Sequence, residues 1–399
     1  MIRETPFHPR TSAANRTGLW SHWAGYLAAD RYQMADKFEY FAIRNAAGII
    51  DTSPLYKYRI SGSDAESYLS GVLARDIRKC RPGQAHYTVW CNDDGFVMED
   101  GVILRLTDDE FMLTAAEPNQ AYLDDLTGRK SVEIEDISDR YGALAVQGPY
   151  AREILRQLAP EVEGIGYFHL TPAKIGSAPV TISRTGYTGD LGYEIWVDRD
   201  EAVGVWDRLF EVATPYGAIP AGQTSLLMTR IEAGLVLIDV DFHSARYAWN
   251  EDQRTTPHEL GMGWMFRDLK SDDRAFIGRS AIERELAEKT SRWRTTGIVV
   301  DWADWNRVYD DRGLIPPKDH TPEHGGMMIY DDDLQRIGYT PSFVYSPLLQ
   351  RHIGIARVRP EHAAPGTEVR LEVTIDHRYD TVKAHTTRLP FFNPPRKTD

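Results

Sequence analysis

The sequence predicts an α+β protein that ends in a small β-barrel, and three observations support this fold class. Short strand-like runs alternate with helices and are joined by hairpin turns, which favours layered α+β units over a doubly wound parallel sheet. Beyond residue 297 the chain holds short strands with Pro- and Gly-rich connections, a pattern typical of a small barrel or sandwich. Hydrophobic residues make up 42% of the 399 positions, enough for two or three packed cores.

The first strand–helix unit begins at Tyr56–Gly62, which alternates apolar and polar residues and is predicted to be a strand. Asp64 is a candidate N-cap for a helix over Ala65–Leu73. The runs Ala85–Trp90 and Val102–Leu106 follow, and the turn sequence Asn-Asp-Asp-Gly between them indicates a hairpin.

The middle of the chain continues the same alternation. Phe111–Thr114 is predicted to be a strand and Asn119–Leu126 a helix. Ala143–Pro149 then reads as a buried strand ended by a Gly-Pro turn, which starts a helix over Tyr150–Leu158.

The most informative stretch is a glycine-rich connection, Arg184–Gly192, between two runs of alternating residues. Period-2 alternation on both sides predicts two strands joined by a tight loop. Three glycines in the loop allow positive φ and a close approach to a ligand: Gly186, Gly189 and Gly192. In the second strand, alternation places Glu194 and Trp196 on one face, so this carboxylate has an aromatic neighbour.

Composition limits the class of partner and the compartment. The formal net charge of −13 argues against nucleic acid or an anionic membrane as the main partner. Cys80 and Cys91 are too few for a disulfide framework, which favours a reducing compartment. The first ten residues lack the apolar core of a signal peptide, and no apolar run approaches the roughly 20 residues of a membrane span. We therefore expect a cytoplasmic protein.

The segment Arg184–Glu194 resembles the RTGYTGExGYE signature of the glycine-cleavage T-protein family, the tetrahydrofolate-dependent aminomethyltransferases and their demethylase relatives. Its glycines lead into a strand rather than a helix, so a dinucleotide-binding fingerprint is the wrong interpretation. The resemblance extends from about residue 30 to residue 390, and further stretches that match family motifs are Ala143–Pro149, Arg230–Gly234, Gly261–Trp264 and Phe276–Arg279.

The resemblance implies a fold and a set of ligand-binding residues. Residues 1–282 would form a folate-binding region of two ferredoxin-like α+β units, and residues 290–392 a C-terminal β-barrel. Glu194 would accept hydrogen bonds from the pterin of tetrahydrofolate, with Tyr187 and Trp264 as walls. Arg230 would pair with an anionic part of the cofactor or donor. A structural salt bridge for Arg230, to Glu232 or a more distant acid, and a plain core role for Trp264 remain open.

The resemblance also points to a catalytic carboxylate. Gly95–Asp100 is similar to the family's GGxxDD stretch. The resemblance implies that the first Asp of this motif is the catalytic carboxylate. That position is Glu99, and Asp100 follows it, so both are candidate catalytic residues. The alternative is a pair of solvated carboxylates after a hairpin turn.

Three departures from the family pattern favour one branch of its chemistry. They are Glu99 in place of Asp, Leu226 where many members carry Arg, and Pro54 where many carry His. We therefore expect an enzyme, a demethylase that moves methyl from a small O-, S- or N-methyl donor to tetrahydrofolate. The first alternative is an aminomethyltransferase, which would take its carbon unit from a carrier-bound aminomethyl group, form methylenetetrahydrofolate and release ammonia. A non-catalytic folate-binding module is the second alternative.

No metal motif is found. His320, Glu323 and His324 lie close together, yet the sequence has no HExxH or CxxC framework, and a chance polar loop is favoured. The surrounding segment Trp302–His324 departs from the family pattern and is predicted to be an ordered surface loop, with a partner surface or a pocket lid left open.

Overall fold

The computed structural model describes residues 2–399, and its elements appear in the following order along the chain. The α-helices are α1 (His8–Ala14), α2 (Asp36–Asn45), α3 (Ala65–Val72), α4 (Gln120–Asp125), α5 (Ala151–Leu158), α6 (Ala202–Ala213), α7 (Gln223–Glu232), α8 (Arg279–Glu288) and α9 (Trp302–Asp310). The β-strands are β1 (Trp20–Trp23), β2 (Tyr26–Ala29), β3 (Gly48–Asp51), β4 (Tyr56–Ser61), β5 (Gln84–Cys91), β6 (Val97–Arg105), β7 (Glu110–Ala115), β8 (Glu133–Asp136), β9 (Tyr141–Gln147), β10 (Leu170–Ile175), β11 (Ala178–Ser183), β12 (Gly192–Asp198), β13 (Ile219–Pro220), β14 (Arg294–Val300), β15 (Met327–Tyr330), β16 (Arg336–Ser346), β17 (Arg351–Val358), β18 (Glu368–Ile375) and β19 (Arg378–Thr387).

The predicted glycine-rich hairpin lies in a six-stranded sheet with the order β10-β11-β12-β9-β3-β13. Its two strands, β11 and β12, pair antiparallel with Ser183 opposite Glu194. Tyr193, Ile195 and Val197 are buried on one face of the sheet, in a core that α5 and α6 cover. This is the alternation predicted for β12, and it leaves Glu194 and Trp196 on the other face.

A second sheet of five strands has the order β5-β6-β7-β4-β8. One of its faces packs under α3, whose Leu69 and Val72 join Ile103 of β6 in a buried core. The predicted helix ends at Val72, one residue early. Asp64 does not cap α3 with its side chain, since its Oδ2 instead accepts a hydrogen bond of 2.7 Å from the Ser131 backbone N–H.

The uncovered faces of the two sheets pack against each other. This contact is a buried apolar cluster with members from both sheets: Ala85, Leu104, Met112, Ile137, Ala143 and Trp196. Sheet-on-sheet packing therefore turns the Glu194 face of one sheet toward the facing strands of the other.

The last third of the chain forms a closed barrel with the order β14-β17-β16-β15-β18-β19. Its interior is filled by aliphatic side chains such as Ile298, Leu371 and Val382, all at most 1% exposed. The α+β class with a C-terminal barrel is thus confirmed. Between the second sheet and the barrel lies α8, across the predicted boundary at residues 282–290.

The segment Trp302–His324 is only partly a loop, which corrects the sequence prediction. It begins with α9, whose N-cap Asp301 accepts a hydrogen bond of 2.8 Å from the Asp304 backbone N–H. Trp305 and Val308 of this helix are 4% and 1% exposed and join the barrel core. The helix packs against the barrel, and its indole fills space that would otherwise be a void.

We predict that Trp305→Ala destabilises the protein by about 3–5 kcal/mol, because it leaves a cavity where the indole packs. Chemical denaturation followed by circular dichroism measures this loss. Tyr379→Ala is the control, since Tyr379 lies on the barrel strand β19 but is 81% exposed. Equal stability of the two variants would contradict a packing role for α9.

Candidate active site

The glycine-rich hairpin is shaped by one side chain from the neighbouring strand, Gln147 at the end of β9. A Cβ built on Gly186 would lie 2.1 Å from Gln147 Oε1, and one on Gly192 would lie 2.2 Å from the same atom. Gln147 Nε2 donates to the backbone carbonyls of Thr185 and Tyr193, both at 3.3 Å. These two glycines are required for space, because the Gln147 amide fills the inside of the loop.

The third glycine has a different role. Gly189 has a φ of +74°, a backbone conformation that residues with a side chain rarely adopt. Gly186 and Gly192 do not have positive φ, so the sequence argument applies to only one of the three positions.

The Glu194 carboxylate lies just beyond this loop, half-buried on the face that turns toward the second sheet. It accepts a hydrogen bond from the Thr185 hydroxyl, which itself lies 2.7 Å from Ser183 Oγ. The Trp196 indole N–H donates to the same Ser183 oxygen at 3.2 Å. Burial raises the pKa of Glu194, and the Thr185 hydrogen bond partly opposes this shift. The arrangement holds a carboxylate in a fixed orientation with little water around it.

Glu99 and Asp100 point in opposite directions, because successive residues of β6 alternate between the faces of its sheet. Glu99 shares a face with Ile103, which packs under α3. Its Oε1 accepts from the Asp100 backbone N–H at 3.0 Å and its Oε2 from the Glu117 backbone N–H at 2.9 Å. Burial and the neighbouring Asp100 charge raise the pKa of Glu99. These contacts give Glu99 a structural position.

Asp100 lies on the opposite face, which it shares with Leu104 of the inter-sheet cluster. The Tyr87 hydroxyl donates to Asp100 Oδ2 at 2.7 Å. Burial raises the pKa of Asp100, the Tyr87 hydrogen bond lowers it, and the negative charge of Asp241 raises it further. Asp100 and Glu194 therefore belong to the two sheet faces that turn toward each other.

Arg230 is fully buried and has a protein partner. Its Nη1 lies 2.6 Å from Asp241 Oδ2, and its Nη2 donates to Ser342 Oγ at 2.7 Å. Ser342, on β16 of the barrel, donates in turn to Asp241 Oδ1 at 2.7 Å. Of the alternatives left open by the sequence, this is the salt bridge to a distant acid. Glu232 instead pairs with Arg44, with 2.6 Å between Arg44 Nη2 and Glu232 Oε2.

Tyr187 and Trp264 occupy different surroundings. Tyr187 is half-buried in the hairpin loop, and its hydroxyl donates to the Val236 carbonyl. Burial raises the pKa of this phenol, the Arg230 charge opposes the shift, and the negative charges of Asp100 and Asp241 add to it. Trp264 is 41% exposed, and the Arg75 guanidinium lies 5.1 Å from its ring centroid. Trp264 is therefore not a core residue, and Arg75 covers one face of its indole.

Three residues of this cluster, Tyr87, Asp241 and Ser342, were missed by the sequence prediction. The predicted hairpin was a signal for Tyr87, because in the structure its strands pair Val89 with Asp100 and make Tyr87 a diagonal neighbour on the same face. Asp241 and Ser342 come from distant parts of the chain and carry no local signal.

Within residues 2–399, no group of three or more His, Cys, Asp or Glu side chains is arranged to hold a metal ion. Over the same residues, none of the helices combines the length and apolar character needed to cross a membrane.

The two packed sheets and the closed C-terminal barrel together have the architecture of a T-protein-like fold. Residues 10–270 match the GCVT N-terminal domain, and residues 312–393 match the glycine cleavage T-protein C-terminal barrel domain. The chain belongs to the glycine cleavage T-protein family. This family binds tetrahydrofolate, which confirms the predicted cofactor at the level of the family.

Named relatives agree with this assignment. An aminomethyltransferase of Streptomyces coelicolor is 32% identical over 375 residues, which cover 93% of this chain and 92% of the relative. Another from Streptomyces avermitilis is 30% identical over 401 residues, 98% of this chain and 99% of the relative. The crystal structure of the glycine cleavage system aminomethyltransferase T from Bartonella henselae has the same fold, with a TM-score of 0.82 at 22% identity over 98% of this chain and 99% of that one.

We predict that Gly192→Ala destabilises the protein by about 1–3 kcal/mol, because the new methyl group overlaps the Gln147 amide. Thermal unfolding measures the change. Gly164→Ala is the matched control, since Gly164 also lacks positive φ and no atom lies within 4 Å of its added Cβ. A Gly192→Ala variant as stable as Gly164→Ala would show that Gln147 does not fill the loop in solution.

Proposed function

We propose that this protein is an aminomethyltransferase that passes a one-carbon unit from a carrier-bound aminomethyl group to tetrahydrofolate, forming methylenetetrahydrofolate and ammonia. One observation carries the proposal: an aspartate, Asp100, lies on the face of the five-stranded sheet that turns toward the Glu194 face of the six-stranded sheet. The expectation of a demethylase depended partly on Glu99 as a replaced catalytic residue. Because Glu99 bonds backbone amides under α3, we assign the catalytic role to Asp100, and Glu99 no longer favours demethylation.

The residues present fit tetrahydrofolate as a substrate. Glu194 is a half-buried carboxylate, and paired carboxylate oxygens suit the ring N–H and amino donors of a pterin. Tyr187 would form a wall beside it. Trp264 is 41% exposed and could contact a ligand with the part of its indole that Arg75 does not cover. Arg230 is neutralised by Asp241, so its role here is to position that acid rather than to bind an anion.

Asp100 would act as the group that exchanges a proton with the bound reactants. Its carboxylate accepts one hydrogen bond from Tyr87, which fixes its orientation, and its remaining lone pairs can hold an amine N–H. A pKa raised by burial and by Asp241 makes proton exchange at this carboxyl easier near neutral pH. The rest of the rate would come from alignment of two bound reactants.

Demethylation remains the second candidate, and two positions favour it. Leu226, where many family members carry Arg, is 7% exposed and belongs to an apolar cluster with Tyr187 at its edge. Pro54, where many carry His, lines a narrow cavity of about 10 Å³ together with Asp51 and Gln223. Both positions lack the polar side chain that many family members carry there, which suits a small methyl donor better than a carrier-bound amine. Under this candidate the partner is a small molecule and no carrier protein is needed.

Product analysis distinguishes the two reactions. We expect methylenetetrahydrofolate and ammonia when the protein is incubated with tetrahydrofolate and an aminomethyl-loaded carrier protein. Chromatography of the folate products and an ammonia assay provide the readout, and protein without the carrier is the blank. Formation of 5-methyltetrahydrofolate from small O-, S- or N-methyl compounds, without ammonia, would reject the proposal in favour of demethylation.

We predict that Asp100→Asn lowers kcat by about 10²-fold or more, because an amide cannot accept the proton. Glu99→Gln, the matched neighbour, is expected to lower stability with a much smaller effect on kcat. In the parent, activity should decline as the pH falls through the raised pKa of Asp100, because the active form is the carboxylate. This decline should begin at a higher pH than an ordinary aspartate would give. A larger loss of kcat in Glu99→Gln than in Asp100→Asn would reverse the assignment.

A further inference from the structure

We propose that the segment after the barrel, Phe391–Asp399, is a strap that positions the pterin-binding carboxylate, and that Arg396 is its key positioning residue. The strap would set the affinity for tetrahydrofolate without touching it. This inference rests on the proposed role of Glu194.

The strap crosses the junction between the barrel and the six-stranded sheet. The backbone N–H groups of Phe391 and Phe392 both donate to the Glu232 carbonyl, each at 2.9 Å. The Phe392 ring centroid lies 4.2 Å from the buried Arg44 guanidinium. These contacts direct the following residues over the glycine-rich hairpin.

The first contact with the hairpin is an ion pair. Arg396 Nε and Nη2 donate to Asp190 Oδ1 and Oδ2 at 2.6 and 2.8 Å, a bidentate geometry. Asp190 is buried in the loop, and its Oδ1 also accepts from the Leu191 backbone N–H at 2.8 Å. Arg44 approaches Asp190 only to 3.5 Å. Arg396 is therefore the closest cation to a buried loop carboxylate, which is costly to leave unpaired.

The second contact is at the start of the loop. Arg184 donates to the strap carbonyls of Lys397 and Asp399 at 3.2 and 2.5 Å, and to the Ile165 carbonyl at 3.3 Å. The next residue, Thr185, supplies the hydroxyl that binds the Glu194 carboxylate. The strap thus holds the hairpin at Arg184 and at Asp190, the two positions that bracket its turn.

This arrangement separates ligand affinity from folding. The apolar core under β12, which includes Tyr193, Ile195 and Val197, contains no residue of the strap. The strap reaches its edge through Arg152, which donates to the Asp399 carbonyl at 2.7 Å and to the Tyr193 hydroxyl at 3.1 Å. Loss of the Arg396 pair would leave this core intact but would free the loop around Gly189. Because binding groups lose effect when they are misplaced by about 1 Å, Glu194 would bind the pterin less tightly.

The test is calorimetric binding of tetrahydrofolate to the full chain under oxygen-free conditions. We expect Arg396→Ala to raise Kd about tenfold, comparable to the loss of one charge-assisted hydrogen bond, and Arg396→Lys to recover part of the affinity. Arg10→Ala is the matched control, because Arg10 also makes a bidentate pair of 2.6 and 2.7 Å, with Asp207 on the exposed surface. This control should bind like the parent.

A double variant distinguishes positioning from general destabilisation. Since the strap acts through Glu194, adding Arg396→Ala to Glu194→Gln should weaken binding no further than Glu194→Gln alone. Additive losses of affinity, or a parent-like Kd in Arg396→Ala, would refute the positioning role of the strap but not the pterin site at Glu194. Unchanged binding in Glu194→Gln would instead refute the proposed pterin site itself. If Arg396→Ala does not fold, parent-like binding by Arg396→Lys with its thermal stability reduced would also overturn the proposal.

Discussion

Insertion of the Gln147 amide between Gly186 and Gly192 is the constraint on which the rest of the site depends. The amide occupies the inside of the loop, donates to the carbonyls on both sides of it, and accepts a 2.8 Å hydrogen bond from the Thr188 hydroxyl. With the loop fixed in this way, β12 leaves it in a register that places Glu194 on the inner sheet face and Tyr193 in the apolar core. A binding carboxylate and a core tyrosine at adjacent positions both follow from one side chain of a neighbouring strand.

Two buried ion pairs connect α7 to the barrel, and both use a hydroxyl from β16. Ser342 joins Arg230 to Asp241, while Ser346 donates to Glu232, the partner of Arg44, at 2.5 Å. A buried charge is tolerated when hydrogen bonds satisfy its remaining lone pairs, and the serines do this at each pair. The barrel is thereby fixed against α7 in a single orientation. The same junction holds Asp241 in place, and the charge of Asp241 raises the pKa of Asp100.

The sequence predicted what depends on local pattern and missed what depends on long-range register. Period-2 alternation was sufficient for the hairpin and the faces of β12, and short strands between Pro- and Gly-rich connections indicated the barrel. It could not decide which of Glu99 and Asp100 faces inward, because that choice follows from how β6 sits between the α3 core and the other sheet. The sequence pattern also could not identify Asp241 as the acid that pairs with Arg230, since Asp241 lies beyond α7 in an irregular segment. The helix α9 at the start of the 302–324 segment was not predicted, because the charged residues and prolines of this segment are typical of a loop.

The shape of the hairpin links three positions that are far apart in the chain. A side chain at 186 or 192 can be accommodated only if the residue at 147 becomes smaller, and shortening residue 147 removes the bonds that hold the loop. A single substitution at any of these three positions therefore disrupts the loop, whereas a pair of substitutions that restores the packing can be tolerated. Among descendants of a common ancestor, these positions should vary together or not at all, which makes their joint state a marker for whether a distant relative still builds the same loop.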